Sequence, residues 1–181
     1  MPGPARFPYM KIRTGGPADA PAVLALLDGA VAWLTARGRT EQWGTEPFSG
    51  QPERVAQVEN YARDFLVRVA EAPGGAMAGV CVLADEPQEF VPAAGEPELY
   101  IRLLVTDRAL AGSGVGAALV ADARAEAARR GVGLLRVDCF GGGGGALARQ
   151  YERLGFTPGA AFSVERPGRP VWPGRVLEIR L

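Results

Sequence analysis

The residues Gly112, Ser113, Gly114, Val115 and Gly116 carry the most specific chemistry in the sequence. Three glycines alternate between an apolar run, Leu99 to Val105, and a stretch of helix formers from Ala117 to Arg130. A helix start leaves about four backbone N–H groups without partners, and the helix dipole adds roughly half a positive charge there. Phosphate oxygens satisfy both, and glycines keep side chains out of their way. The spacing reads as an anion cradle, specific for phosphate and unspecific for the molecule that carries it. The alternative is a connection whose glycines only let a helix pack closely on a strand.

Other residue types narrow the chemistry further. There is no histidine, which removes Ser-His-Asp and Cys-His catalysis and the commonest zinc sites, so no metal is expected. The 2 cysteines, Cys81 and Cys139, fall in separate strand-like stretches and read as buried free thiols. With 20 basic residues against 20 acidic ones, no overall field favours nucleic acid or a membrane surface. The start MPGPARFPYM has no apolar core of a signal peptide, and AVLALLDGAVAWL is interrupted by Asp28, so a cytoplasmic location is expected. A chain of 181 residues fits one domain, 1–181.

The elements that must position the cradle follow from periodicity. Tyr9 to Arg13 reads as a strand. A helix starts at Gly16, Pro17 and Asp19 and runs to about Arg37, with Leu24, Leu27, Val31 and Leu34 as its apolar stripe. The loop Arg39 to Gly50 carries Gln42, Trp43 and Phe48. These side chains either line a substrate pocket or pin the loop to the core. A second helix spans Gln51 to Tyr61. Phe65, Val67 and Val69, then Met77 to Leu83, read as a hairpin about Gly74 and Gly75, and Asp85 to Pro97 as an exposed loop. Leu99 to Val105, whose one charge is Arg102, suits a mid-sheet strand covered on both faces. Leu134 to Cys139 is the strand beside it, followed by five glycines, Gly141 to Gly145. A short helix runs from Ala146 to Leu154, and a last strand from Val176 to Leu181. The order implies a mixed α/β fold.

This arrangement resembles the Gcn5-related N-acetyltransferase (GNAT) superfamily over nearly the whole chain. The resemblance rests on Leu104-Val105, on Ala111-Gly112-Ser113-Gly114-Val115-Gly116, and on Tyr151-Glu152-Arg153-Leu154-Gly155-Phe156. It implies a mixed, mostly antiparallel central sheet with a splayed motif strand and helices on both faces. It also implies acetyl-CoA as acyl donor and a primary amine of a small molecule or peptide as acceptor, acting as a monomer or homodimer. Cofactor contacts carried over are Leu103, Leu104, Val105, Gly112 to Ala117 and Gly144. Gln42, Trp43 and Arg102 are read as acceptor contacts. In two places the sequence departs from the family pattern: Ala111 stands where Arg or Gln is usual, and Gly144 where Asn is usual. Because the cradle is mostly backbone N–H, weakened rather than abolished binding is expected, with Arg108 restoring some charge.

The resemblance and the chemistry of a phenol together make Tyr151 the acid for the departing thiolate, since a group of pKa near 10 is protonated at neutral pH. A backbone N–H near Leu104 or Val105 is the expected partner of the thioester oxygen. Glu98 is the candidate base, although it lies seven residues before Val105 where six is usual. Two other readings compete. Gly112, Gly114, Ala117 and Asp138 also fit the fingerprint of an NAD(P)-binding Rossmann unit. A GNAT-like fold that binds acyl-CoA without catalysis is the other.

Overall fold

Apolar spacing of period two and period 3.6 resolves into one seven-stranded sheet with helices on both faces in the computed structural model, which describes residues 10–181. In chain order the elements are β1 (Lys11–Thr14), α1 (Ala20–Thr35), α2 (Pro52–Asp64), β2 (Leu66–Glu71), β3 (Met77–Ala84), β4 (Leu99–Thr106), α3 (Val115–Arg129), β5 (Leu134–Phe140), α4 (Ala146–Arg153), β6 (Thr157–Arg166) and β7 (Arg169–Arg180). The strands lie in the order β1-β2-β3-β4-β5-β7-β6, which puts β4 at the centre. Only β4 and β5 are parallel; the other neighbours are antiparallel. The fold is therefore mixed α/β with a mostly antiparallel sheet, and a single parallel pair gives no doubly wound unit for a dinucleotide. Tyr9, assigned to the first strand, lies outside the described residues.

On one face, α1 and α2 bury Val23, Leu27, Val31 and Val58 against Val67, Val69, Val80, Val82 and Val105. Ahead of α1, the Asp19 carboxylate accepts a hydrogen bond from the Gly16 N–H at 2.9 Å and one from Arg13 at 2.8 Å. Of the expected stripe, Leu27, Val31 and Leu34 are buried, while Leu24 is half-buried and Val23 beside it faces the sheet. An 18-residue window within Pro17–Thr35 has a mean hydropathy of 1.3, so it passes for a membrane span by length and composition. Its apolar side is the one packed on the sheet.

On the other face lie α3 and α4. Val115, Leu119, Val120, Ala123 and Ala127 of α3 meet Ala78, Cys81, Leu83, Leu99 and Ile101. The alanines follow from a close approach of helix to sheet. A Cβ at Gly79 would lie 2.7 Å from Val115 Cγ1 and 3.0 Å from Leu119 Cδ1, so β3 needs glycine where α3 begins. Both cysteines are free and buried.

The sheet opens in its middle. β4 pairs with β5 only through Leu99↔Leu135, Tyr100↔Arg136 and Ile101↔Val137, although β4 continues to Thr106 and β5 to Phe140. On the other side of β4, Val82 faces Leu103 and Leu83 faces Ile101, leaving Arg102 as an extra residue. Such a bulge bends its strand. β5 meanwhile stays paired with β7 as far as Phe140↔Gly174. The two central strands part at Arg102, so Leu104 and Val105, expected from the sequence to offer a backbone N–H, lie on the unpaired part of β4. At the C-terminus the expected strand was too short: β7 begins at Arg169 and pairs with β6, and Leu181 lies past its end, 47% exposed.

Candidate active site at the split sheet

The glycine-rich loop closes onto the head of α3. Leu110 accepts hydrogen bonds from the Ser113 N–H at 3.1 Å and from Ser113 Oγ at 2.6 Å, which turns the buried serine inward and makes it a brace for the loop. Gly114 caps the helix in the left-handed region, with φ 92°, a conformation costly for a side-chain-bearing residue. The first helical bond runs from the Ala118 N–H to the Gly114 carbonyl. The N–H groups of Gly114, Val115, Gly116 and Ala117 therefore have no backbone acceptor among the described residues. A Cβ at Gly114 would meet nothing within 4 Å, so the approach to these donors is open. Gly79 faces Thr106 across the β3–β4 ladder, and Val115 packs on Gly79. The donors thus sit over the C-terminal end of β4, beyond its last pair with β5. The arrangement fits a pyrophosphate.

Beyond β5 the glycine run turns through three left-handed residues, Gly143, Gly144 and Gly145, with φ of 62°, 68° and 77°. Arg149 donates to the Gly144 carbonyl at 2.6 Å and ties the turn to α4. On α4, Tyr151 is 9% exposed and belongs to the same apolar cluster as Cys81, Val137 and Cys139. No side chain among the described residues hydrogen-bonds its hydroxyl. Burial pushes the phenol above its usual pKa, with Cys139 and Asp138 adding to the shift. It is therefore protonated at neutral pH. Burial also pushes the Cys139 thiol up to about 12.

The opposite face of the split holds a group that the sequence reading had placed only in a dinucleotide fingerprint. Asp138 follows the last β4–β5 pair, and its Oδ1 accepts a hydrogen bond from the Tyr100 hydroxyl at 2.5 Å. Burial raises its carboxyl above the usual range, against the lowering effect of the Tyr100 hydrogen bond. Nothing in the sequence links residues 38 apart at this spacing; only the strand register brings them together.

Several expected site residues have other work. Glu98 is 8% exposed and Arg136 is 4% exposed, and the guanidinium donates to both carboxylate oxygens. Glu98 sits at the closed end of the β4–β5 pair, before Leu99↔Leu135, so it is an ion-pair partner and not a base at the split. Arg102 donates to the carbonyls of Glu86 and Pro87 at 2.9 and 3.1 Å and lies over the Phe65 ring, which commits it to holding the β3–β4 loop. Trp43 packs edge-on against the buried Phe48 at 5.5 Å, and the Gln42 carbonyl accepts from Trp172 Nε1 at 3.0 Å. These two contacts pin the α1–α2 loop to the core and to β7. Arg108 stacks 3.9 Å above Trp33, a ring that Arg37 also meets at 4.0 Å, so its guanidinium is engaged on α1.

Residues 29–156 match the family model for the acetyltransferase (GNAT) family. No curated protein matches the sequence significantly. Among solved structures, a GNAT-family acetyltransferase from Listeria monocytogenes superposes with a TM-score of 0.67 at 19% identity, over 95% of this chain and 95% of that one. The yncA acetyltransferase of Salmonella typhimurium, solved with its cofactor acetyl-CoA, gives 0.64 at 20% identity, over 96% and 94%. A ribosomal-protein-alanine N-acetyltransferase from Brucella melitensis gives 0.63 at 25% identity, over 94% and 99%. With the family model covering most of the sequence and the split sheet present, the chain belongs to the GNAT acetyltransferase family.

Proposed function

We propose that the protein transfers an acetyl group from acetyl-CoA to a primary amine of a small molecule or peptide, with Tyr151 as general acid. The observation that carries this reading is the convergence of the open N–H groups of Gly114 to Ala117 and of Tyr151 on the split between β4 and β5. Acetyl-CoA supplies the activated acyl group and a thiol of moderate pKa as its leaving group. Gly114, Val115, Gly116 and Ala117 hold its phosphates. The edge of β4 freed beyond Arg102, from Leu103 to Val105, offers backbone N–H groups to the arm of the donor and to the carbonyl oxygen as charge develops there. Tyr151 gives its proton to the departing sulfur. Gly144, by contrast, contributes only backbone.

Residues 1–181 act as one unit, as a monomer or homodimer in the cytoplasm, without nucleic acid or membrane. The zero net charge supports the last two of these, since no overall field favours nucleic acid or an anionic membrane surface. The test is thiol release from acetyl-CoA with a panel of primary amines, alongside calorimetry of acetyl-CoA alone. Binding with amine-dependent thiol release is the expected result. Binding without release from any amine identifies a non-catalytic binder.

A further inference from the structure

The chemistry above uses the α3–α4 face of the split and leaves the other face without a role. Side chains alternate along a strand. Val137 and Cys139 point to the side of Tyr151, so Asp138 between them points to the side of α1 and α2. There Tyr100 fixes one carboxylate oxygen, and no other side chain among the described residues donates to the group. A series of rings leads outward from it. Phe162 packs on Tyr100 and Val176. Phe90, which is 47% exposed, stacks on Phe162 at 6.0 Å, and Trp172 lies 6.3 Å from Phe162 and 5.8 Å from Phe140. Glycine at 174 makes this possible, because a Cβ there would lie 2.3 Å from Phe162 Cζ. A carboxylate at the inner end of an aromatic wall matches a cation attached to a flat apolar body.

We infer that the acceptor is a primary ammonium carried on an aromatic or similarly flat apolar group, seated with its nitrogen at Asp138 and its body against Phe162, Phe90 and Trp172, and that Asp138 takes the ammonium proton. The inference rests on the acetyl-transfer reading. Asp138 removes one proton from the ammonium, which frees the nitrogen lone pair to form the C–N bond while the C–S bond breaks with its electrons on sulfur. Tyr151 gives its phenolic proton to that sulfur and regains one from the acylated nitrogen, and Asp138 returns its proton to water. The net products are the amide, the free thiol and one proton. Donor and acceptor thus reach the split from opposite faces.

The titratable groups around Asp138 are Tyr100 on β4, Arg136 and Cys139 on its own strand and Tyr151 on α4. β7 and β6 present Val176 and Phe162, and the β3–β4 loop presents Val91. Burial raises Asp138 towards the pKa of an ammonium, which eases the transfer. Asp138→Asn keeps an oxygen for Tyr100 and removes only the charge.

The experiment measures kcat/KM for acetylation of 2-phenylethylamine, tyramine and butylamine, and acetyl-CoA binding by calorimetry. With the parent protein, the aromatic amines are expected to exceed butylamine about tenfold or more. Asp138→Asn is expected to lower kcat/KM by about 10²- to 10⁴-fold, to lose the fall in rate as pH drops through the carboxyl pKa, and to keep parental acetyl-CoA affinity and melting temperature. Phe90→Ala, a change at an exposed ring, is expected to raise KM more for 2-phenylethylamine than for butylamine. Parental turnover by Asp138→Asn overturns the base, and equal rates for aromatic amines and butylamine overturn the substrate class. Failure of the parent to bind acetyl-CoA overturns the reading beneath both.

Discussion

The ring of Tyr151 stands edge-on to that of Phe156, with centroids 5.6 Å apart and planes at 88°. Phe156 closes the helix that carries Tyr151, its N–H bonding back to the Tyr151 carbonyl at 3.2 Å. The phenol is therefore held by its ring, and no side chain among the described residues occupies its hydroxyl. Tyr151→Phe keeps that packing, so kcat is expected to fall about 10²- to 10⁴-fold while the acetyl-CoA Kd and the melting temperature stay near parental. Single-turnover kinetics check this. Near-parental kcat with chemistry rate-limiting leaves water as the acid.

Gly114→Val places a β-branched side chain at φ 92° beside the open N–H groups. Left-handed backbone costs about 1–2 kcal/mol for such a residue, and the side chain covers the anion approach. Calorimetry of the folded variant is expected to show acetyl-CoA affinity reduced at least tenfold. An unchanged Kd removes the loop from phosphate binding.

Gly144→Asn runs the other way. The left-handed conformation at φ 68° is one that Asn tolerates, and a Cβ there meets nothing within 4 Å. Asn is also the residue usual at this position in the family. The variant is expected to bind acetyl-CoA several-fold more tightly, the worth of about one net hydrogen bond. Looser binding would mean that the turn does not face the donor.

Glu98→Ala strands the Arg136 guanidinium without its carboxylate in a nearly dry site, a change that typically costs about 3–5 kcal/mol. Denaturant unfolding is expected to show this loss. Replacing both partners, Glu98→Leu with Arg136→Met, is expected to cost less than the single change. Acetylation per folded molecule should persist in Glu98→Ala below its melting temperature, and its disappearance would return Glu98 to the mechanism.

Cys81 and Cys139 are both raised above the ordinary thiol pKa by burial, Cys139 to about 12. The folded protein holds protons that the unfolded chain releases, so these groups favour folding below the ordinary thiol pKa. That contribution declines as pH rises from there towards about 12. At pH 8 a thiol reagent is expected to label neither cysteine until denaturant is added. Rapid labelling of the native protein would show a thiol open to solvent.

How much of this was legible in the sequence depended on whether the signal was local. The order of elements, the central place of β4 and the glycine cradle followed from periodicity and from Gly112, Gly114 and Gly116, which act within a few residues of one another. β6 was not resolved as a strand, because Pro158 and Gly159 interrupt it and its residues are mostly exposed at the sheet edge. The bulge at Arg102 is a matter of register between strands and leaves no mark on either one alone. Glu98 reads as a base because the resemblance places a Glu close to this position; its partner, Arg136, arrives from 38 residues away. Asp138 stood in a plausible fingerprint for a different cofactor, and only the pairing of β4 with β5 shows it meeting Tyr100.

The parting of β4 from β5 also sets how the sheet exchanges its amide hydrogens. A middle strand is ordinarily the slowest to exchange, yet β4 beyond Arg102 has a partner on one side only. Those N–H groups between Leu103 and Thr106 that face the gap are expected to exchange within the time that edge amides do, while Val80 and Val82 on β3, paired on both sides, stay protected. An amide-bearing ligand that enters the gap becomes the missing strand, so its arrival would be read as a band of new protection in the middle of the sheet.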